Sequence, residues 1–203
     1  MTILHIDSSI LGDSSVSRSL SAAIVARQLV LHPDSRVIYR DVVADAALHL
    51  SDQHLAVFQG GAAADPVLRA DITAGSAHID DLFVADIIVI GVPMYNFSIP
   101  SQLKGWIDRV AVAGRTFRYG PSGPEGLLPK GKRVFIASSR GGVYSCDSPA
   151  AFLEHQESYL KGVLTFLGLT DITVIRAEGL SLGEAAKAGA IAKAKNEIDA
   201  LAA

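Results

Sequence analysis

The chain has 203 residues, of which 49% are hydrophobic and 19% charged, and its formal net charge is -3. This composition excludes an intrinsically disordered chain, which would carry more charge and too few apolar residues to build a core. It also excludes a broad basic surface for nucleic acid or an anionic membrane, so we expect neither as a partner. The length fits one domain that spans residues 1–203.

The first seven residues contain no basic cluster and reach polar side chains quickly, which indicates neither a signal peptide nor a membrane span. We therefore expect a cytoplasmic protein. The lone cysteine, Cys146, has no partner for an internal disulfide, and the six histidines lack the spacing of metal ligands. The sequence thus predicts no metal site and an unreactive Cys146.

Five short runs rich in Ile and Val, each bounded by turn or capping residues, predict β-strands. They are residues 3–7, 36–41, 87–92, 133–138 and 170–176. Residues 87–90 are apolar without alternation, which is typical of a strand covered on both faces. The sheet is therefore predicted to be mainly parallel.

Helical patterns of apolar residues lie between these runs and after the last one. They cover residues 17–31, 67–83, 100–110, 152–167 and 183–201. The alternation predicts an α/β fold, a three-layer sandwich with helices on both faces of the sheet. In the fourth helix, His155 with Glu154 and Glu157 indicates a solvated charge cluster.

Ligands bind such sheets at the carboxyl ends of the strands, so the loops after the first, third and fourth strands are the candidates. The first loop, residues 8–17, holds five serines and one glycine, which does not match a dinucleotide fingerprint. Hydroxyls at a helix start suit a single phosphate, with Ser9, Ser15 and Ser17 as ligands. A plain helix cap at Ser15 or Ser17 is the alternative that stays open.

After the third strand, two prolines stiffen a loop that presents Met94, Tyr95, Asn96 and Phe97. Such a set suits a flat heteroaromatic ring, which needs apolar packing on its face and a few hydrogen bonds at its edge. A loop that buries its own aromatic residues is the alternative. After the fourth strand, Gly141 and Gly142 would let backbone amides approach a planar ligand, although an ordinary turn also explains them.

Taken in order, these loops resemble those of the bacterial FMN-dependent NADH-azoreductases, which also act as quinone reductases. The motifs are Ser-Ser and Ser-x-Ser before the first helix, Pro-Met-Tyr-Asn-Phe after the third strand and Ser-Arg-Gly-Gly after the fourth. The resemblance spans nearly the whole chain, including residues 114–119 and 123–127. It implies a flavodoxin-like fold with a five-stranded parallel sheet and a homodimer that holds one FMN per subunit.

The resemblance also assigns site residues: the first loop would bind the phosphate and ribityl end of FMN, and the other two loops its ring. The implied cofactor-binding residues are Ser9, Ser15, Val16, Ser17, Met94, Tyr95, Asn96, Phe97, Ser139, Arg140, Gly141 and Gly142. The catalytic side chain stays unassigned because flavin N5 carries the chemistry. Its candidates are Asn96, Tyr119 and Tyr144, of which Tyr144 stands where many relatives have histidine, and Phe117 joins Tyr119 as a substrate-pocket candidate.

The function that follows is an oxidoreductase in which NADH supplies electrons and quinones or aromatic azo compounds accept them, by ping-pong two-electron hydride transfer. One alternative is a flavodoxin-like electron carrier that binds FMN without a substrate pocket. Another is a quinone reductase that holds FAD instead of FMN.

The homodimer has a second basis in residues 113–130, which contain Phe117, Tyr119, Leu127 and Leu128 but no secondary-structure period. Long irregular loops in compact domains are commonly functional or covered by a partner. Exposed apolar residues there would form an unfavourable patch on a lone subunit. We therefore expect the loop to pack across a two-fold axis and to close the flavin pocket.

Overall fold

A computed structural model of the chain describes residues 1–145 and 147–202. It contains the strands β1 (Thr2–Asp7), β2 (Arg36–Asp41), β3 (Ile87–Pro93), β4 (Phe117–Gly120), β5 (Gly123–Gly126), β6 (Arg133–Ser139) and β7 (Asp171–Ala177). Five of them form a parallel sheet in the order β2-β1-β3-β6-β7. The predicted parallel sheet is confirmed, and each predicted strand end lies within one residue of the observed one.

The strands at the centre of the sheet are those with the most continuous apolar sequence. Every residue of β1 and β3 is buried, because helices cover both faces of the sheet. The chain runs from β1 outward to β2 and then returns to place β3 on the other side of β1. The loops after β1 and β3 therefore leave the sheet side by side at its topological switch point.

The helices are α1 (Val16–Leu31), α2 (Asp52–Phe58), α3 (Pro66–Val84), α4 (Ser101–Val110), α5 (Glu157–Phe166) and α6 (Glu184–Asp199). On one face of the sheet, Leu20 and Ile24 of α1 pack with Ala194 and Ile198 of α6. The opposite face holds the larger core, to which α3, α4 and α5 contribute. The three-layer flavodoxin-like arrangement is thus confirmed.

The fourth predicted helix differs from the observed one at its start. Residues Ala151–Leu153 form a short 3-10 helix, and α5 begins only at Glu157. Glu157 is 4% exposed, and it forms ion pairs with Arg140 and Arg176. The expectation of a solvated charge cluster around His155 is therefore wrong for the two carboxylates, since both Glu154 and Glu157 bind buried Arg140.

Residues 113–130 contain a β-hairpin, so the expectation of an irregular loop is wrong. Strands β4 and β5 pair antiparallel, with Phe117 opposite Gly126. Leu128 belongs to the core of the chain, and the ring of Phe117 packs 4.6 Å from that of Phe166. Of the residues expected to form an exposed patch, Tyr119 is the strongly exposed one, at 77%.

In the part of the chain that the structure describes, none of the helices is long and apolar enough to cross a membrane. Within those same residues there is no group of three or more His, Cys, Asp or Glu side chains arranged to hold a metal ion. Cys146 lies outside the described residues, so its lack of reactivity stays a prediction.

Candidate functional site

The loop after β1 is fixed at both of its ends. At its start, the Ser8 hydroxyl donates to the Gly91 carbonyl at 2.7 Å, which ties it to β3. At its end, Ser15 is the N-cap of α1, and its side-chain oxygen accepts the Arg18 N–H at 3.3 Å. The cap role of Ser15 is therefore observed, and its role as a phosphate ligand stays a prediction.

The remaining donors of this loop converge on the first turn of α1. The hydroxyls of Ser15 and Ser17 lie 3.0 Å apart, and both residues are buried. The N–H groups of Val16 and Ser17 belong to the first helical turn, where no intrahelical acceptor exists. Together with the positive end of the helix dipole they form a site suited to an anion.

The loop after β3 makes a tight and strained turn. Tyr95 and Ser98 exchange backbone hydrogen bonds at 3.0 and 3.1 Å, so Asn96 and Phe97 occupy the two central positions. Both have positive φ, 47° for Asn96 and 72° for Phe97. Asparagine tolerates this conformation, whereas an aromatic residue rarely adopts it. Such strain persists where the surroundings fix it, commonly at a ligand site.

The loops after β1 and β3 are joined by Tyr95. Its hydroxyl lies 3.1 Å from the Ser9 hydroxyl and accepts the Ile10 N–H at 3.3 Å. The Met94 N–H donates to the Ser139 carbonyl at 2.8 Å, which ties the same loop to the end of β6. The three loops predicted to form one site therefore lie together at the carboxyl edge of the sheet.

The loop after β6 presents backbone rather than side chains. The carbonyls of Arg140, Gly141 and Gly142 accept hydrogen bonds from the N–H groups of residues 179–181 in the loop after β7. Among the described residues, the N–H groups of Gly141 and Gly142 have no acceptor. A Cβ on Gly142 would lie 2.9 Å from the Tyr144 hydroxyl, so this glycine is required by close packing.

The Arg140 side chain turns away from this edge into a buried ion cluster. It is 1% exposed, lies 3.1 Å from Glu154 and 2.5 Å from Glu157, and donates to Gln156 at 3.0 Å. Burial lowers the pKa of Arg140, although the carboxylates of Glu157 and Glu154 act in the opposite direction. Arg140 was predicted as a cofactor-binding residue, and only its main chain is in a position to face a ligand.

Gln156 completes this support and was not predicted. Its amide oxygen accepts hydrogen bonds from Ser138 and Arg140, and its amide nitrogen donates to the Val92 carbonyl at 2.8 Å. It thereby connects the ends of β3 and β6 directly beneath two of the candidate loops. No local pattern marks this glutamine, because its partners lie 16 to 64 residues away in the sequence.

Two of the three catalytic candidates lie at the same edge. The ring of Tyr144 contacts that of Phe97 edge-on, with centroids 6.0 Å apart, and its N–H donates to Glu178. Asn96 is exposed at the tip of the neighbouring turn. Both present polar groups beside an aromatic surface.

Tyr119 and Phe117 are not brought to this edge by their own chain. The β4–β5 hairpin packs on Leu167 and Gly168, which lead into the start of β7, and Leu128 N–H donates to the Leu167 carbonyl. Parallel strands begin at the edge opposite the candidate loops. Within one chain, these two aromatic residues therefore lie apart from the three candidate loops.

A layer of charged side chains lies below the first loop, and the sequence alone does not connect it with the site. Arg18 pairs with Asp41 at 2.8 Å, and Tyr39 donates to Asp7 at 3.1 Å. Hydrogen bonds from Arg18 hold the pKa of Asp41 below its ordinary value, against the effect of burial. The available signal was position, since Asp7 and Asp41 end two adjacent strands.

The residues present fit a ligand with an anion at one end and a planar ring at the other. Free N–H groups and hydroxyls at the start of α1 suit the anion, and the backbone at Gly141 and Gly142 suits the polar edge of a ring. The strained turn with Tyr95, Asn96 and Phe97 lies between these two ends. FMN has these two ends, a phosphate and a planar ring, so the residues present fit that cofactor.

Comparison with known proteins gives a consistent result. Residues 1–202 match the family model described as a flavodoxin-like fold. An FMN-dependent NADH:quinone oxidoreductase of Bradyrhizobium sp. (strain BTAi1 / ATCC BAA-1182) is 54% identical over 203 residues and covers 100% of both chains. Its counterpart from Sinorhizobium fredii (strain NBRC 101917 / NGR234) is 54% identical over 198 residues, 98% of this chain and 95% of the relative.

Among solved structures, an FMN-dependent NADH-azoreductase from Bacillus anthracis str. Ames Ancestor in complex with FMN superimposes with a TM-score of 0.85. The sequences are 24% identical, and the match covers 98% of this chain and 96% of the other. At this identity the likeness concerns the fold.

Proposed function

Because the chain belongs to the flavodoxin-like family and, within it, to the FMN-dependent NADH:quinone oxidoreductases, we propose that it is an enzyme that binds FMN and uses NADH to reduce quinones. The observation that carries the proposal is the meeting of three loops at one sheet edge, with anion-binding donors at one end and backbone amides at the other. We take residues 1–203 as a single FMN-binding domain.

Each loop has a part in holding FMN. Ser9, Ser15, Val16 and Ser17 would bind its phosphate and ribityl end. Met94, Tyr95, Asn96 and Phe97 would surround the ring, and Ser139 with the main chain of Arg140, Gly141 and Gly142 would face its pyrimidine edge. When bound, FMN supplies the two-electron hydride chemistry that amino-acid side chains lack.

The side chains then position reactants and protons. The rings of Phe97 and Tyr144 contact each other edge-on and form an aromatic surface on one side of the site. The Tyr144 hydroxyl and the Asn96 amide would donate hydrogen bonds to the oxygen of an acceptor as it gains electrons. We also propose a ping-pong order, in which NADH leaves before the acceptor enters, and parallel lines in double-reciprocal plots test it.

Aromatic azo compounds form a second class of acceptor in this proposal. They are flat, apolar and reducible by electron pairs, as quinones are. Full cleavage of an azo bond to two amines takes four electrons and four protons, so it needs two molecules of NADH. Reduction of a quinone needs one, and the ratio of NADH consumed to product formed separates the two reactions.

The active unit in this proposal is a cytoplasmic homodimer. The β4–β5 hairpin lies at the edge opposite the site of its own chain and exposes Tyr119. A second subunit would bring that aromatic side chain over the flavin and close the pocket. Sedimentation of the FMN-loaded protein at micromolar concentration should give twice the chain mass, and cell fractionation checks the compartment.

The deciding experiment is identification of the flavin released by heating, followed by an assay of NADH oxidation with and without a quinone. Release of FMN and quinone-dependent NADH oxidation by the pure protein support the proposal. Release of FAD would favour the alternative cofactor. FMN that turns over only when a separate reductase is added would show the electron carrier instead.

A further inference from the structure

The loop after β1 carries the predicted phosphate ligands, and one residue contacts both of its ends, Arg18, through its side chain at Ser9 and its main-chain N–H at Ser15. We propose that Arg18 is a positioning residue that holds this loop in its anion-binding shape and cancels the charge of two carboxylates below it. The inference rests on the proposed binding of FMN, and it concerns the selectivity of the site for a flavin with a phosphate.

The guanidinium of Arg18 is fully engaged. Nε and Nη2 donate to the Ser9 carbonyl at 3.1 and 2.8 Å. Nη1 and Nη2 donate to the two carboxylate oxygens of Asp41 at 2.8 and 2.9 Å, and Nη1 also donates to the Tyr39 hydroxyl at 3.0 Å. The planar guanidinium supplies five N–H donors in fixed directions, an arrangement that a lysine ammonium cannot reproduce.

These contacts fix the geometry of the loop. The side chain of Arg18 holds the carbonyl of Ser9 at the start, while its main-chain N–H donates to the Ser15 hydroxyl at the end. The carboxylate of Asp41 that binds Arg18 is itself held in place, because it also accepts the Val43 N–H at 3.0 Å. With its carbonyl held in this way, Ser9 directs its hydroxyl to Tyr95.

The second role is electrostatic. Asp7 ends β1, is 4% exposed, and has its Oδ2 3.8 Å from Arg18 Nη1. It also accepts hydrogen bonds from Tyr39 at 3.1 Å and Ser21 at 2.7 Å, and His5 Nε2 lies 3.4 Å away. Asp7 and Asp41 therefore place two carboxylates beneath a loop that we expect to hold a phosphate dianion. Without Arg18, both would repel that dianion.

A comparison of FMN with riboflavin isolates this role, because riboflavin has the same ring without the phosphate. The apoprotein is titrated with each flavin, and quenching of flavin fluorescence gives the dissociation constant. For Arg18→Gln we expect FMN to bind at least about tenfold more weakly, equivalent to one charge-assisted hydrogen bond, while riboflavin stays within about twofold. Equal weakening of both flavins, or no change for FMN, would overturn the inference.

The matched control is Arg27→Gln. Arg27 lies on the same helix and donates to the Leu201 carbonyl, far from the loop. Its replacement by glutamine removes the same charge as Arg18→Gln does. We expect wild-type affinities for both flavins in this variant. If Arg27→Gln loses FMN selectively as well, the effect is one of overall charge and the inference is wrong.

Two further variants extend the test, and the first of them keeps it decisive if Arg18→Gln folds poorly. Arg18→Lys retains the charge but not the planar guanidinium, so we expect a smaller loss of affinity that is again confined to FMN. Wild-type FMN affinity in this variant would contradict the role of the guanidinium geometry. Addition of Asp41→Asn to Arg18→Gln removes one repelling carboxylate and should recover part of the FMN affinity.

Failure of the wild-type chain to bind FMN would overturn the proposed function together with this inference, whereas tight FMN binding that survives in Arg18→Gln overturns this inference alone.

Discussion

Arg109 and Arg140 are both almost completely buried, at 2% and 1% exposure, and both bind carboxylates, yet they occupy different regions of the fold. Arg140 follows β6 and supports the loop that presents Gly141 and Gly142. Arg109 lies near the end of α4 and binds Asp71, His54 and the Leu48 carbonyl. Burial of a charge therefore does not mark a ligand site by itself, and the two arginines differ in the loop or helices that each supports.

The Arg109 cluster has a structural explanation. It joins α4 to α2 and α3, since His54 Nε2 lies 3.1 Å from Asp71 and Leu48 N–H donates to Asp71 at 2.8 Å. The cluster borders a cavity of about 290 Å³, in which five of the eleven lining residues are alanine or glycine. The Arg109 cluster thus holds the connection between β2 and α3 against α3 and α4.

The largest expected effect is that of Arg109→Met. Removal of the guanidinium leaves Asp71 buried without its main partner, which should lower the free energy of unfolding by about 3 to 5 kcal/mol. Because this cluster is remote from the candidate site, the FMN dissociation constant of the folded protein should stay within about twofold. Urea unfolding of the apoprotein and FMN titration below the transition measure the two quantities. A selective loss of FMN affinity would break the distinction between the regions.

Arg140→Met should combine a stability loss with a binding loss. The buried carboxylate of Glu157 and the partly exposed carboxylate of Glu154 lose a partner, and we expect about 3 kcal/mol of destabilisation. The loop that holds Gly141 and Gly142 also loses its support, so FMN should bind several-fold more weakly. Arg176→Met is the control, because Arg176 also pairs with Glu157 but is more exposed and does not carry this loop. Equal FMN affinity in both variants would contradict the assignment.

A smaller effect separates the two glycines of the loop. A Cβ on Gly142 would lie 2.9 to 3.1 Å from the hydroxyl and ring of Tyr144, whereas one on Gly141 would meet only the Ser181 side chain, whose hydroxyl oxygen would lie 2.8 Å away. The serine side chain can rotate away, and the tyrosine ring cannot do so without leaving Phe97. Gly142→Ala should therefore cost about 1 to 2 kcal/mol and reduce quinone turnover, while Gly141→Ala should cost less. Similar turnover in the two variants would show that Tyr144 has no part in positioning the acceptor.

The smallest expected effect is a dependence of stability on pH that both clusters share. Burial acts to raise the pKa values of Asp71 and Glu157, but hydrogen bonds and the charges of their arginine partners lower them below their ordinary values. Carboxylates with lowered pKa stabilise the fold above their unfolded pKa of about 4, and that stability is lost as the pH falls further. The free energy of unfolding should thus decrease below about pH 4.5. Asp71→Asn should flatten the decrease, and an unchanged slope in that variant would show that Asp71 does not contribute.

The sequence predicted the sheet well because buried parallel strands are distinct runs of Ile and Val. It did not predict α2, whose seven residues are too few for a clear period and whose buried member is His54. The β4–β5 hairpin was missed because its strands have four residues each and consist largely of Gly, Pro and charged residues. The hairpin packs on Leu167 and Gly168, and Gly168 lies 42 residues beyond the end of β5.

The candidate site was predictable to the level of loops but not of side-chain direction. Topology places the carboxyl ends of β1, β3 and β6 together, and composition indicates which loops suit a ligand. Whether Arg140 faces a ligand or a buried cluster depends on Glu154, Glu157 and Gln156, which only the folded chain brings to it. The same holds for Arg18, whose contact with Asp41 spans 23 residues.

The most direct test of the central claim is an FMN titration of Ser15→Ala combined with Ser17→Ala, compared with Ser19→Ala. Ser15 and Ser17 are buried at the start of α1, whereas Ser19 is exposed on the same helix. Loss of two hydroxyls that bind a charged phosphate, each worth about 1.5 to 3 kcal/mol, should weaken FMN binding by at least about tenfold. Ser19→Ala should bind FMN as the wild type does. An unchanged dissociation constant in the double variant would contradict the account, because the phosphate would then lie elsewhere.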